Sequence, residues 1–148
     1  MSLKDWQTNG WLKPHTPSQK EMEGLVSIIE RDLHASNIKD LNSDWKFGIA
    51  YNAALKLCTI LLHASGYAPA EKAQAHFRTL AALPEILGPA RANDAVYLDK
   101  CRKKRNAVEY DLAGLTSEPE AEELLHFSIG LKADVLDWLK KNHPNLVP

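Results

Sequence analysis

Five of the six residues from Lys100 to Arg105 are basic, and the segment that carries them, LDKCRKKRNAVEY (98–110), otherwise has the apolar spacing of an amphipathic helix. Leu98, Cys101, Val108 and Leu112 mark its inward stripe. Lys100, Lys103 and Lys104 fall outside that stripe and read as surface charge. Arg105, four residues after Cys101 and three before Val108, falls on the buried side or its edge, where a guanidinium requires a carboxylate, a phosphate or a helix end. Two chemistries fit this placement. Arg105 and Glu109, one turn apart, can form a structural ion pair. Alternatively Arg102, Arg105 and Asn106, at i, i+3 and i+4, present one face that grips phosphate, with Tyr110 following to donate a hydrogen bond or stack on a base.

Other chemistries find less support. The histidines are His15, His34, His63, His76, His126 and His143. No two of them have the i, i+4 spacing of helical metal ligands, and no HExxH or Cys–His cluster occurs, so neither a metal site nor a cofactor is expected. His63 and His126 read as core or groove residues, and His76, near Arg78, as the edge of a pocket. The absence of a Gly-rich phosphate loop argues against a P-loop NTPase. Cys58 and Cys101 sit in apolar helical patterns and read as reduced core thiols. Trp45, Tyr51 and Trp138 lie on apolar helical faces and are expected in the core. The formal net charge of -1 gives the whole molecule little attraction for nucleic acid, so any polyanion must be bound by a local patch.

These groups need a scaffold. A length of 148 residues suits one core, and 45% hydrophobic with 25% charged residues is the balance of a packed domain rather than a disordered chain. Residues 1–17 lack a clear period and read as an extended arm that Trp6 and Trp11 pin to the bulk of the chain. Ser18 and Glu21 form a candidate capping box, after which Met22, Leu25, Ile29 and Leu33 define a first helix. Ser43 or Asp44 is expected to cap a second helix, from about residue 45 to 64, apolar on most of its circumference. Its small residues Gly48, Ala50, Ala53 and Ala54 would let a neighbour approach closely, and Ser65–Gly66 ends it.

Pro69, Pro84 and Pro89 then leave room for one short helix around 71–82. Asn93 or Asp94 caps the basic helix. Thr116 or Ser117 caps the last one, whose acidic first turns suit the helix dipole and whose apolar positions run from Leu124 to Leu139. The expected fold is all-α: an up-and-down antiparallel bundle of four long helices plus one short helix, filling 18–148, with the 1–17 arm packed on it. No apolar run suits a signal peptide or approaches the length of a membrane span, so a cytoplasmic protein without membrane contact is expected.

In this setting RKKRNAVEY resembles the HEPN superfamily (higher eukaryotes and prokaryotes nucleotide-binding), whose signature is Arg, a polar residue that is often Asn, three further residues, then His. Arg105 and Asn106 match, and Tyr110 stands where the His would be. The AlaTyrAsnAlaAla run of the second helix, the basic helix and the long final helix agree with the order of elements, so that the resemblance covers most of the chain from Ser18 onward. It implies an RNA- or nucleotide-binding homodimer in which two motifs line one cleft. It further implies a place in a toxin-antitoxin or defence system, with an antitoxin or nucleotidyltransferase-type partner protein. Members with the full motif are metal-independent ribonucleases. Tyr titrates near 10 and His near 6.5, so Tyr110 is a poor general base at neutral pH, and binding without the family's chemistry is the first expectation. A non-catalytic homodimeric interaction module is the second. A ribonuclease in which Tyr110, His76 or another group serves as base is the third.

Overall fold

Apolar residues on nearly every side of WKFGIAYNAALKLCTILLHA require a helix enclosed by other elements, and α3 (Ser43–Ala64) is that helix. α2 (Gln19–Ser36) and α7 (Glu118–Asn142) pack along it most extensively. α6 (Ala92–Tyr110) and the short α4 (Ala75–Ala81) and α5 (Leu83–Leu87) pack on it as well. The computed structural model describes residues 2–110 and 113–148, without the side chains of Glu109 and Tyr110. The fold is all-α with the expected four long helices. α3 is nevertheless long and apolar enough to cross a membrane by composition, against the expectation that no stretch would be; here it is mostly buried, in the place of a bundle's core helix.

Met22 and Ile29 from α2, Leu98 and Cys101 from α6, and Leu124 and Val135 from α7 meet α3 in one hydrophobic core. The dry surroundings push the Cys58 thiol up to about 12 and the Cys101 thiol up to about 11, which makes both inert. The acidic start of α7 does more than meet a helix dipole. Lys46, buried in α3, donates to Glu118 at 2.9 Å and to Glu122, and these partners raise its pKa. A buried ammonium needs such partners, since its desolvation is costly when unpaired. Ser117 and Glu120 complete a capping box, each accepting the other's backbone N–H, at 3.2 and 3.0 Å.

Four local expectations are corrected. Residues 1–17 are not merely extended: α1 (Leu3–Thr8) is capped by a Ser2/Asp5 box, and β1 (Leu12–Pro14) pairs antiparallel with β2 (Tyr67–Pro69), Lys13 opposite Ala68. Trp6 and Leu12 are buried against Leu62 and Ala82, so the arm shares the packed interior. The stretch around 71–82 divides into a 3₁₀ turn (Lys72–Gln74) and α4, and Pro84 sits in the first turn of α5, where a proline's missing N–H is tolerated. Asn42, one residue before the expected caps, caps α3 by accepting from the Asp44 N–H at 2.9 Å. α6 starts at Ala92, ahead of Asn93 and Asp94; Asp94 instead accepts from Arg91 at 3.1 Å, and Arg91 also bridges to Asp134 on α7.

Candidate functional site

Arg105 emerges from α6 on the side that faces α3, as its place in the apolar stripe predicts. It is half-buried, and its Cζ lies 5.7 Å from the centre of the Tyr51 ring on α3. On the same side α2, α3 and α6 enclose a cleft of about 620 Å³ that Arg105 and Val108 line from α6. α3 contributes Trp45, Gly48 and Asn52, spaced three and four residues apart so that one helical face forms the wall. α2 contributes Arg31 and Asp32.

The polar groups of this cleft are held in place. Asp32 is buried; one carboxylate oxygen accepts from the Arg31 Nε at 3.0 Å and the other from the Asn52 Nδ2 at 2.6 Å. With its NH₂ on a carboxylate, the Asn52 amide turns its carbonyl oxygen elsewhere as an acceptor. Asp44 accepts the backbone N–H of Gly114 at 2.7 Å and of Thr116 at 3.2 Å, and so seats the connection between α6 and α7 at the end of the cleft. Both acids are thus engaged by donors. Gly48 does not serve helix approach as the small-residue pattern suggested, since a Cβ there would meet nothing within 4 Å; it leaves the cleft wall low. Ala50, Ala53 and Ala54 do serve it, fully buried in the core.

The expected phosphate face is divided by its neighbours. Arg102 donates from Nε to Asp99 at 2.8 Å and lies 5.9 Å from the Phe77 ring, away from the cleft lining. Lys103 also reaches Asp99, at 3.4 Å. Lys104, expected as plain surface charge, bonds to Glu120 and ties α6 to α7, and this ammonium helps hold the Glu120 carboxyl down to about 2. Asn106 is half-buried on α6 and is not among the residues lining the cleft. α6 is continuous to Tyr110, so that helix positions 105 and 110 lie about 140° apart around its axis. The side chains of Glu109 and Tyr110 lie outside the described residues, and with them the Arg105–Glu109 pair and the contacts of Tyr110; Leu112 of the predicted stripe lies outside them altogether.

Tyr51 is buried, as expected, and its hydroxyl has no hydrogen-bond partner among the described residues; burial pushes its pKa well above the usual tyrosine range. The His76 ring lies 6.5 Å from it. His76 is held below the ordinary imidazole value, first by partial burial of the ring and then by the positive charges of Arg105, Lys56 and Arg102. His76 therefore belongs to the electrostatic surroundings of Arg105 while keeping an exposed edge. His126, in contrast, is exposed on α7 rather than in a core or groove.

Trp45, Asp32 and Asn52 are the cleft residues that sequence reasoning missed. Trp45 was expected in the core, and 69% of it is exposed. Its place at the start of the apolar pattern suggests a core phase, but in the first turn of α3 it is Lys46 that meets Glu118 and Glu122 of α7, while Trp45 lies in the cleft lining. Asp32 and Asn52 are ordinary polar residues on two different helices, and only the packing of α2 on α3 brings them together. No family model matches the sequence, and no curated protein or solved structure matches it.

Proposed function

We propose that this chain is a HEPN-like protein that binds single-stranded RNA or a nucleotide in the cleft between α2, α3 and α6, without the family's ribonuclease chemistry. One observation carries the reading: Arg105, the motif arginine, lines a cleft of about 620 Å³ whose other groups are of the kinds that hold a nucleotide. Clefts that take small ligands run from about 300 to 1,000 Å³. A guanidinium is suited to phosphate because its donors match two oxygens at once. The exposed Trp45 indole offers a stacking surface for a base, and Asn52, oriented by Asp32, offers an acceptor to a ribose hydroxyl or base edge. The homodimer, the toxin-antitoxin or defence setting, and an antitoxin or nucleotidyltransferase partner belong to the same reading through the resemblance of RKKRNAVEY.

Fluorescence anisotropy with a labelled single-stranded RNA tests it. Arg105→Ala is expected to weaken binding about 10- to 100-fold, the worth of a charge-assisted contact, and Trp45→Ala by a similar factor for one lost stacking partner. The RNA is expected to stay intact in the presence of chelator at high protein concentration. Wild-type affinity in both folded variants would move the site elsewhere. A change in the mass of Arg105→Ala by light scattering, with no RNA binding by either protein, would instead favour a non-catalytic homodimeric interaction module. Cleaved RNA would favour a ribonuclease with a substitute base.

A further inference from the structure

Away from this cleft, three side chains from three elements converge. His15 directly follows β1, Glu21 lies in the first turn of α2, and His63 in the last turn of α3. The His15 Nε2 is 3.0 and 2.9 Å from the two Glu21 carboxylate oxygens, and the His63 Nδ1 is 3.3 Å from Oε2. One ligand atom from each residue lies within 4.8 Å of the other two. The imidazole rings face each other at 4.1 Å with a tilt of 36°.

Local structure fixes all three. Gly66, at φ +96°, ends α3 in the left-handed region that favours glycine. Its N–H donates to the His63 carbonyl at 3.0 Å, and its own carbonyl accepts the His15 N–H at 2.9 Å, so one residue ties both histidine backbones together. Glu21 is held from the other side by the Ser18 hydroxyl, which accepts its N–H at 3.1 Å. The second half of that capping box is not made, because the Glu21 carboxylate is turned to the histidines instead. This is why the Ser18/Glu21 pair read from the sequence is only half a box.

We infer that His15, Glu21 and His63 form a binding site for one divalent cation of the zinc class. Two imidazole nitrogens and one carboxylate are a ligand set of open, three-residue zinc sites, with a fourth position for water or another ligand. Bonds of about 2.1 Å at tetrahedral angles put ligand atoms about 3.4 Å apart, so the observed carboxylate–imidazole separations need to open by only a few tenths of an ångström. The side chains remain 19 to 29% exposed, which gives an ion an entry path and leaves the fourth position facing solvent.

The site is separate from the Arg105 cleft. Glu21 and Asp32 are eleven residues apart on α2, and His63 and Asn52 eleven apart on α3; at 1.5 Å per residue both helices put the two places about 16 Å apart. A bound ion would clamp the N-terminal segment, through His15, to the ends of α2 and α3. It lies outside the expectation that the scattered histidines form no metal site, because that expectation rested on spacing within single elements.

The test is a titration of the full chain with zinc chloride against a chromophoric chelator, beside thermal melts. One zinc per chain is expected, with a melting temperature that rises with zinc concentration. Glu21→Gln and His63→Ala should each weaken affinity about 100-fold or more, beyond what loss of an outer-shell partner does, while His126→Ala leaves it unchanged. Should His63→Ala fail to fold, His15→Gln, at the edge of the cluster, takes its place, and the visible spectrum of the cobalt-loaded wild-type chain reports four- or five-coordination. Less than one zinc per chain, affinity that survives Glu21→Gln, or a six-coordinate cobalt spectrum would each overturn the site.

Discussion

Arg105 and His76 share an electrostatic environment, and the histidine can report on it without any ligand. Partial burial of the ring first, and the Arg105 guanidinium second, disfavour the imidazolium, so His76 titrates below its ordinary value of about 6.5. Replacing Arg105 by Ala removes one of the charges that act on it, and the His76 titration followed by its ring proton resonances should then move up. A midpoint that stays where it was would separate the two residues. The sign for stability follows from the same shift: folding holds His76 neutral, so its contribution is present above about pH 6.5 and is lost as the pH falls through its folded pKa. At this scale the sequence revealed Arg105 and its half-buried place, because helical phase against Leu98 and Cys101 determines which way a residue faces. It did not reveal that Asp99 takes Arg102 and Lys103, or that Glu120 takes Lys104, although Asp99 and both its partners sit at i, i+3 and i+4. The Asp99 pairs are legible in that spacing, though the run of basic residues obscures them, whereas Glu120 and Lys104 meet only through the packing of α7 on α6.

Secondary-structure elements were legible wherever periodicity and capping chemistry act locally. The long helices α2, α3, α6 and α7 begin and end within a few residues of the expected positions, because stripes such as Met22–Ile29–Leu33 and caps such as Ser117 are encoded within one element. The N-terminal segment was misread for the opposite reason: β1 depends on β2, more than fifty residues away, and α1 is too short to display a period, though its Ser2/Asp5 box is visible once sought. Whether this segment is an appendage or part of the cooperative fold is a question of energy. Trp6 is 7% exposed, packed with Leu12, Leu62 and Ala82, and truncation of a buried Trp typically costs about 3–5 kcal/mol. Trp6→Ala is therefore expected to lower the unfolding free energy by about 3 kcal/mol in a denaturant titration followed by far-UV circular dichroism. A loss below about 1 kcal/mol, the range of an ordinary surface change, would mean that residues 1–17 fray independently of the bundle.

For the molecule as a whole, charge balance limits how the proposed RNA ligand could be held. Lys and Arg number 18 against 19 Asp and Glu, so no general attraction draws a polyanion in. Locally, Asp99 and Glu120 already engage Arg102, Lys103 and Lys104, and Asp32 engages Arg31. A phosphate must displace a carboxylate from each of these cations, so one chain is expected to make few phosphate contacts, about two, with Arg105 foremost because it lines the cleft. Each contact with a single strand contributes about -0.7 to the slope of log K against log salt, which gives about -1.4 for one cleft on one RNA and about -2.8 if two copies present their clefts to the same strand. Light scattering in the same buffers distinguishes those two cases. With so few ionic contacts, most of the affinity must come from the stacking and hydrogen-bonding groups, Trp45 and Asn52, which salt does not screen. Trp45→Ala should accordingly lower affinity while leaving the slope unchanged, whereas Arg105→Ala should make it shallower by about 0.7 per cleft. A wild-type slope steeper than about -5 would require some seven phosphate contacts and would place the RNA across a broad basic face rather than in this cleft.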